Sequence, residues 1–106
     1  MASLSTHVLD TASGRPAAGL RIVLESADGS VLAEGITDDD GRIGDLAGDL
    51  VAEDHVLRFD TGGWFAGLGT TAFYPEVVVT FTVGGDDHYH VPLLLSPFGY
   101  STYRGS

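Results

Sequence analysis

The sequence predicts an all-β protein, a sandwich or a barrel built from short strands. Runs of aliphatic and β-branched residues recur between turn signals, and apolar residues almost nowhere repeat at helical spacing over several turns. The length of 106 residues is typical of one domain, and a hydrophobic fraction of 43% is enough for a core. We therefore expect residues 1–106 to form a single domain.

The first half of the chain predicts three strands, at residues 4–10, 19–26 and 31–37. Alternation along the first strand places Leu4 and Val8 on one face and His7 on the opposite face. The second and third strands are joined by a connection containing Asp28 and Gly29, a dipeptide typical of hairpins. These two strands should pair antiparallel.

The middle of the chain is less regular. Residues 38–42 read Asp-Asp-Asp-Gly-Arg, a tight acidic turn that leaves Arg42 at the start of the next segment. Three aspartates also suggest a calcium loop, but the ligand spacing of a calcium-binding hand is missing. Residues 44–53 are weakly patterned, 55–60 form a strand, and 61–69 form a brief helix capped by Asp60 or Thr61.

The last third predicts two strands, at residues 75–83 and 88–95. The first alternates over its whole length, with Val77, Val79, Phe81 and Val83 on one face. The second has an apolar face, made of Tyr89, Val91, Leu93 and Leu95. Its other face carries His88, His90, Pro92 and Leu94, which is too apolar for water, so we expect another subunit to cover it.

Composition excludes several kinds of function. The net charge of −10, from fifteen acids and five arginines, would repel nucleic acid and anionic lipid. The lack of cysteine excludes thiolate metal sites and cysteine nucleophiles, and the lack of lysine excludes Schiff-base chemistry. Without an apolar run of membrane-spanning length or a secretory signal, we expect a cytoplasmic protein with no membrane partner.

His7 and His90 are the first candidates for chemistry, because each falls on the face of its strand opposite the core. Both could equally be surface histidines that make a hydrogen bond. His88 shares a face with His90, and the three imidazoles could form a zinc site, although spacing provides no carboxylate to complete it. His88 could also merely cap its strand. We expect no metal.

Arg42 and the last four residues complete the candidates. The Arg42 guanidinium could donate to planar carbonyl or carboxylate groups of a small ligand, or form a surface ion pair with the neighbouring aspartates. Arg104 has the same two interpretations. The sequence stops on Tyr103, Arg104, Gly105 and Ser106 without a linker, which predicts a segment packed against a site.

Four separated segments, residues 4–11 with 14–17, 37–42, 73–77 and 88–106, together resemble the 5-hydroxyisourate hydrolases, the transthyretin-related enzymes of urate breakdown. The resemblance covers nearly the whole chain, and the terminal Tyr-Arg-Gly-Ser is that family's signature. It implies a transthyretin-like (prealbumin-like) β-sandwich of two four-stranded antiparallel sheets with one short helix. It also implies a homotetramer, a dimer of dimers, with active sites in clefts between dimers.

The resemblance further implies the reaction and its residues. 5-Hydroxyisourate is opened at a cyclic amide to 2-oxo-4-hydroxy-4-carboxy-5-ureidoimidazoline, without a cofactor. The implied catalytic residues are His7, Arg42, His90 and Ser106, and the implied substrate-binding residues are His7, Arg42, Tyr103 and Arg104. Our hypothesis is that His7, steadied by Ser106, activates water while His90 and Arg42 stabilise the oxyanion; the two histidines could also exchange roles.

Two non-enzymatic interpretations compete with this one. A transthyretin-like sandwich can instead carry a small hydrophobic ligand between subunits, because one fold serves several uses. The chain could also be a structural sandwich module of a surface protein, although such a module has no use for the terminal signature. Polar groups in the cleft, His7, His90 and Arg42, favour a small polar purine derivative.

Overall fold

The computed structural model of the protein describes residues 2–106, which form nine strands and one helix. In chain order these are β1 (Ala2–Asp10), β2 (Arg15–Pro16), β3 (Arg21–Ser26), β4 (Val31–Ile36), β5 (Arg42–Leu50), β6 (Asp54–Phe59), α1 (Thr61–Gly67), β7 (Val77–Thr82), β8 (His88–Ser96) and β9 (Gly99–Thr102). The strands form two sheets. The predicted β-sandwich with one short helix is therefore confirmed.

The second sheet has the order β4-β3-β6-β7 and is antiparallel throughout, as predicted. The first sheet differs from the prediction in two respects. The two-residue β2 pairs with the end of β1 beyond β5, which makes five strands, and β1 pairs with β8 in parallel. A parallel pair needs a long crossover connection, and here the whole second sheet lies between β1 and β8 in the chain.

The core lies between the two sheets and follows the predicted alternation. Leu4 and Val8 of β1 and Leu93 of β8 are fully buried, as are Leu24 and Leu57 of the second sheet. The intervening residues of β1 and β8 point to the other side of the first sheet. This outward face of the first sheet carries the polar side chains of Ser5, His7, His88 and His90.

Three strands were not predicted from the sequence: the two-residue β2, β5 and β9. β5 spans most of the weakly patterned region, and its pairing with β1 shifts register twice, between Ala2 and Leu4 and between Leu4 and Thr6. Such irregularities break the period-2 alternation by which strands are recognised. β9 is a four-residue strand held by antiparallel pairing with β8.

The helix and its cap agree with the prediction. The Asp60 carboxylate accepts a hydrogen bond from the Gly63 amide at 3.2 Å, which satisfies one of the unpaired donors of the first turn. Phe65 is buried, and the Trp64 indole donates to the Ala18 carbonyl at 2.8 Å. Between residues 2 and 106, no helix is long and apolar enough to cross a membrane.

Candidate active site

The candidate site lies on the outward face of the first sheet, where β5, β1 and β8 run side by side. His7 of β1 pairs with Arg42 of β5 on one side and with Pro92 of β8 on the other. Two residues earlier on β1, Ser5 pairs with His90 of β8. Because adjacent strands are about 4.7–4.9 Å apart, residues far apart in sequence become neighbours on this face.

The C-terminal segment, residues 103–106, crosses the sheet beside His90. The Gly105 amide donates to the His90 carbonyl at 2.9 Å, in an isolated antiparallel bridge. A Cβ atom at Gly105 would lie 2.5 Å from His90 Cδ2 and 3.1 Å from Pro92 Cγ. Only glycine allows the backbone to approach the imidazole so closely, and this approach places Ser106 at the site.

The expectation that another subunit must cover the Pro92 side of β8 was wrong for Pro92 itself. Pro92 is buried within the single chain, because the C-terminal segment covers it, and does not need another subunit for that. Thr102 reinforces the cover by donating from its hydroxyl to the Pro92 carbonyl at 2.7 Å. Leu94, two residues further along β8, remains half-buried.

A shallow pocket of about 220 Å³ collects the polar groups of this face. Its lining residues are Ser5, Thr6, Arg42, Gly44, His90 and Ser106. Three of the residues expected from the sequence, Arg42, His90 and Ser106, thus meet in one pocket. His7 is not among the lining residues, but its position between Arg42 and Pro92 puts it at the edge of the pocket.

Arg42 is positioned through its backbone by the acidic turn. The Asp38 carboxylate accepts from the amides of Asp40 at 2.9 Å and Arg42 at 3.0 Å, while the Asp38 amide donates to the Arg42 carbonyl. In the region from 2 to 106, no carboxylate forms an ion pair with the Arg42 guanidinium. The turn therefore anchors the main chain of Arg42 and leaves its cation exposed for a ligand.

His90 has a pKa below its usual 6.5. Burial is the main cause, because it disfavours the charged imidazolium, and the positive charges of Arg42, His7 and His88 add to the effect. The neutral ring is thus favoured near neutral pH. A neutral imidazole beside a guanidinium can exchange a proton with a bound molecule while the guanidinium stabilises negative charge.

Ser5 is a residue that the sequence analysis missed. Its hydroxyl oxygen lies 2.7 Å from His90 Nδ1 and 3.0 Å from His88 Nε2, and the Ser3 hydroxyl lies 2.6 Å from His88 Nδ1. Ser5 sits on the same outward face as His7, which was readable from alternation, but its proximity to His90 depends on the parallel pairing of β1 with β8. His88 is therefore part of a hydrogen-bonded cluster and not merely a strand cap.

Tyr103 and Arg104 lie elsewhere. Both line a separate cavity of about 300 Å³ beside Phe81 and Tyr89. The Arg104 guanidinium stacks 4.5 Å from the centre of the Tyr89 ring and contacts the Asp86 carboxylate at 3.0 Å. Within one chain these contacts place Arg104 outside the pocket that contains Arg42 and His90 and make it an anchor of the C-terminal segment. The substrate-binding role expected for Tyr103 and Arg104 stays a prediction.

Known proteins are similar to this chain over nearly its full length. The family model described as the HIUase/Transthyretin family matches residues 4–105. A curated relative, the 5-hydroxyisourate hydrolase of Caulobacter vibrioides, is 47% identical over 115 aligned positions, which cover 100% of both chains.

Two solved structures are similar in fold. The 5-hydroxyisourate hydrolase of Klebsiella pneumoniae has a TM-score of 0.93 at 40% identity, covering 99% of this chain and 100% of that one. Sea bream transthyretin in complex with thyroxine has a TM-score of 0.89 at 32% identity, covering 97% of this chain and 94% of that one. Because the family model, the curated relative and the solved structures all match nearly the whole chain, the chain belongs to the HIUase/transthyretin family.

Proposed function

We propose that the chain is a 5-hydroxyisourate hydrolase, an enzyme of urate degradation in which residues 1–106 act as one domain. It opens the six-membered ring of 5-hydroxyisourate at a cyclic amide and yields 2-oxo-4-hydroxy-4-carboxy-5-ureidoimidazoline. Two relatives that carry this name, from Caulobacter vibrioides and Klebsiella pneumoniae, match along their whole length. The observation that carries the proposal is the convergence of Arg42, His90 and Ser106 in one pocket of the outward sheet face.

The pocket suits the hydrolysis of a cyclic amide. Water must lose a proton as its oxygen attacks the carbonyl carbon, and a neutral imidazole accepts that proton near pH 7. Negative charge then develops on the carbonyl oxygen. The Arg42 guanidinium, which no carboxylate of residues 2–106 neutralises, is placed to stabilise that charge and to bind the planar substrate.

One histidine transfers the proton, and the other orients the substrate. In one assignment His7, steadied by Ser106, activates water while His90 and Arg42 hold the ring and stabilise the oxyanion. In the other assignment His90 exchanges the proton. The second is favoured by the shared pocket of His90 and Ser106 and by the depressed pKa of His90, which keeps its ring neutral.

The proposed assembly is a homotetramer formed as a dimer of dimers. Two features of the single chain support association. β9 and β7 are edge strands of their sheets, with backbone groups available for pairing. Beside β9 lies an exposed aromatic patch, defined by Phe73, Tyr74, Phe98 and Tyr100, in which Tyr74 packs edge-on against Phe73 and Tyr100.

A cytoplasmic location stays a prediction of the sequence, which cell fractionation would test.

A non-catalytic carrier is the alternative, since sea bream transthyretin, of similar fold, was solved in complex with thyroxine. The polar lining of the pocket, with Arg42, His90 and Ser106, argues against a hydrophobic ligand. The two functions differ in one measurable respect. Only an enzyme accelerates the loss of the ultraviolet absorbance of 5-hydroxyisourate freshly generated by urate oxidase.

The same assay tests the residue roles in the variants His7→Asn and His90→Asn. We expect each variant to lose roughly 10²- to 10⁴-fold in kcat, the typical contribution of general acid–base catalysis. A matched control is Ser30→Ala in the exposed turn between β3 and β4, which should retain wild-type kcat. A histidine variant with wild-type kcat would remove that histidine from the mechanism.

A further inference from the structure

Three side chains on the outward face connect His90 to the surface of the protein. From the pocket outward, the contacts run from His90 Nδ1 to Ser5 Oγ at 2.7 Å, from Ser5 Oγ to His88 Nε2 at 3.0 Å, and from His88 Nδ1 to Ser3 Oγ at 2.6 Å. His88 is exposed, whereas Ser5 is 9% exposed and His90 is partly buried. The path therefore begins in the pocket and ends in solvent.

We infer that Ser5 and His88 form a proton relay for His90, which makes His90 the residue that exchanges the proton during hydrolysis. This inference rests on the proposed function and deepens it. Neither Ser5 nor His88 needs to touch the substrate. Ser5 orients the His90 ring and transmits the proton, and His88 is a positioning and relay residue that receives it.

The strand pairing explains why the relay forms. β1 and β8 are parallel, with Ser3 opposite His88 and Ser5 opposite His90. A serine on one strand therefore faces a histidine on the other at two successive outward positions. Ser5 lies within reach of both rings, because the side chains of His88 and His90 emerge on the same side of β8.

The contacts along the relay are consistent with His90 Nε2 being the basic atom of the ring. The relay assigns the resting-state protons along these contacts: His90 Nδ1–H donates to Ser5 Oγ, the Ser5 hydroxyl donates to His88 Nε2, and His88 Nδ1–H donates to Ser3 Oγ. Each of the three contacts then pairs one donor with one acceptor. His90 Nε2 is left with its lone pair, and within residues 2–106 it has no hydrogen-bond partner.

The proton movements balance in this arrangement. An O–H bond of water breaks as the water oxygen bonds to the substrate carbonyl carbon, and the proton goes to His90 Nε2. The Nδ1 proton of His90 passes to Ser5 Oγ while the Ser5 hydroxyl proton passes to His88 Nε2, so the positive charge ends on His88. When the carbon–nitrogen bond breaks, the same movements in reverse return a proton to the departing nitrogen.

Electrostatics favours moving the charge away from His90. On neighbouring elements, His90 faces Arg42 of β5 and His7 of β1, and on its own strand it faces His88. The C-terminal segment adds Ser106, while its Arg104 is engaged by Asp86. A second cation held on the His90 ring beside the Arg42 guanidinium would be repelled, whereas the exposed His88 can share its proton with water.

Nuclear magnetic resonance of the imidazole nitrogens tests the relay without measuring activity. In the wild-type protein the tautomer of His90 should be fixed with its proton on Nδ1, and the titrations of His88 and His90 should be coupled. Ser5→Ala should give a mixture of His90 tautomers and uncouple the two titrations, and Ser5→Thr should restore both. Unchanged tautomer and coupling in Ser5→Ala would overturn the inference.

Kinetics tests the use of the relay in catalysis. His88→Gln keeps a hydrogen-bonding side chain at an exposed position but cannot ionise, so the protein should fold. We expect kcat to fall about tenfold, a part of the effect of general acid–base catalysis, with KM within about twofold. Added imidazole should restore much of the lost kcat, and Ser30→Ala should change neither constant. A His88→Gln enzyme with wild-type kcat, or one that imidazole does not rescue, would overturn the catalytic use of the relay.

The two experiments separate this inference from the proposed function. A wild-type protein that does not accelerate the decay of 5-hydroxyisourate would overturn the function, and with it the catalytic use of the relay. The coupling of His88 with His90 in the ligand-free protein would still report whether the relay itself exists.

Discussion

At the scale of single residues, contacts on two sides hold the imidazole ring of His90 in place. Ser5 contacts the Nδ1 side of the ring, and the backbone of Gly105 passes over its Cδ2 edge. The ring is thereby held with Nε2 as the atom free to meet a ligand. A small change on either side should affect turnover more than folding.

Gly105→Ala is the most direct test of this packing. The new Cβ would lie 2.5 Å from His90 Cδ2, so the C-terminal segment or the imidazole must move, and Ser106 moves with it. We expect kcat to fall at least about tenfold, since misplacement by about 1 Å can cost far more, with little change in the melting temperature. Gly67→Ala is the control, because its Cβ would meet no atom within 4 Å; equal kcat in both variants would contradict the prediction.

The acid limb of the pH profile follows from the depressed pKa of His90. Below a pKa the ring is charged, and because this pKa lies under 6.5, the neutral ring persists to a lower pH than in a free histidine. If neutral His90 accepts the proton, kcat/KM should begin to fall only as the pH drops below 6.5. Steady-state rates between pH 4.5 and 8 check this, and an acid limb at or above 6.5 would contradict it.

At the scale of elements, the junction between the acidic turn and β5 determines where Arg42 lies. The Asp38 carboxylate binds two backbone amides of this turn, and β5 then pairs with β1 from Arg42 onward. The turn that resembled a calcium loop in sequence thus uses its first carboxylate to stabilise the main chain. The strand that follows carries the guanidinium to the site.

Asp38→Ala should therefore affect both stability and substrate binding. Loss of the two hydrogen bonds should lower the free energy of unfolding by about 1–2 kcal/mol, and a less ordered Arg42 should raise KM. Asp39→Ala is the matched control, because among the described residues the Asp39 side chain makes no hydrogen bond, and it should stay within about 0.5 kcal/mol of wild type. Urea denaturation and steady-state kinetics give both values; identical effects of the two variants would disprove the role of Asp38.

At the scale of the whole molecule, the pocket is open and shallow in one chain, which agrees with a site completed by association. Its cation, Arg42, is exposed, and the aromatic patch of Phe73, Tyr74, Phe98 and Tyr100 lies near the free edge of the same sheet. Water must be excluded for the charges of the site to act strongly. A second subunit over this face would provide that exclusion.

Phe98→Lys tests the association. The side chain is 70% exposed in the single chain, so the change should leave the fold intact while placing a charge in the proposed interface. We expect a lower molar mass by light scattering and a loss of turnover that partly recovers at high protein concentration. Ile36→Lys, at a position 65% exposed on β4, should keep the wild-type mass; a Phe98→Lys protein of unchanged mass and activity would contradict the proposal.

Local sequence patterns were enough to predict the class of fold, most strands and the face on which His7, His88 and His90 lie. Alternation suffices for this because the side-chain period of a strand is a local property of the backbone. Alternation failed at β5, where register shifts break it, and at β2 and β9, which are too short to show it. The recognisable C-terminal motif indicated that a site was present.

Which strands are neighbours, and therefore which side chains meet, became visible only in the folded chain. The parallel pairing of β1 with β8 puts Ser5 beside His90 and Ser3 beside His88, and the same fold carries Arg104 to Asp86, away from the pocket. Strand order depends on how two whole sheets bury their apolar faces against each other. No local pattern of residues contains that information.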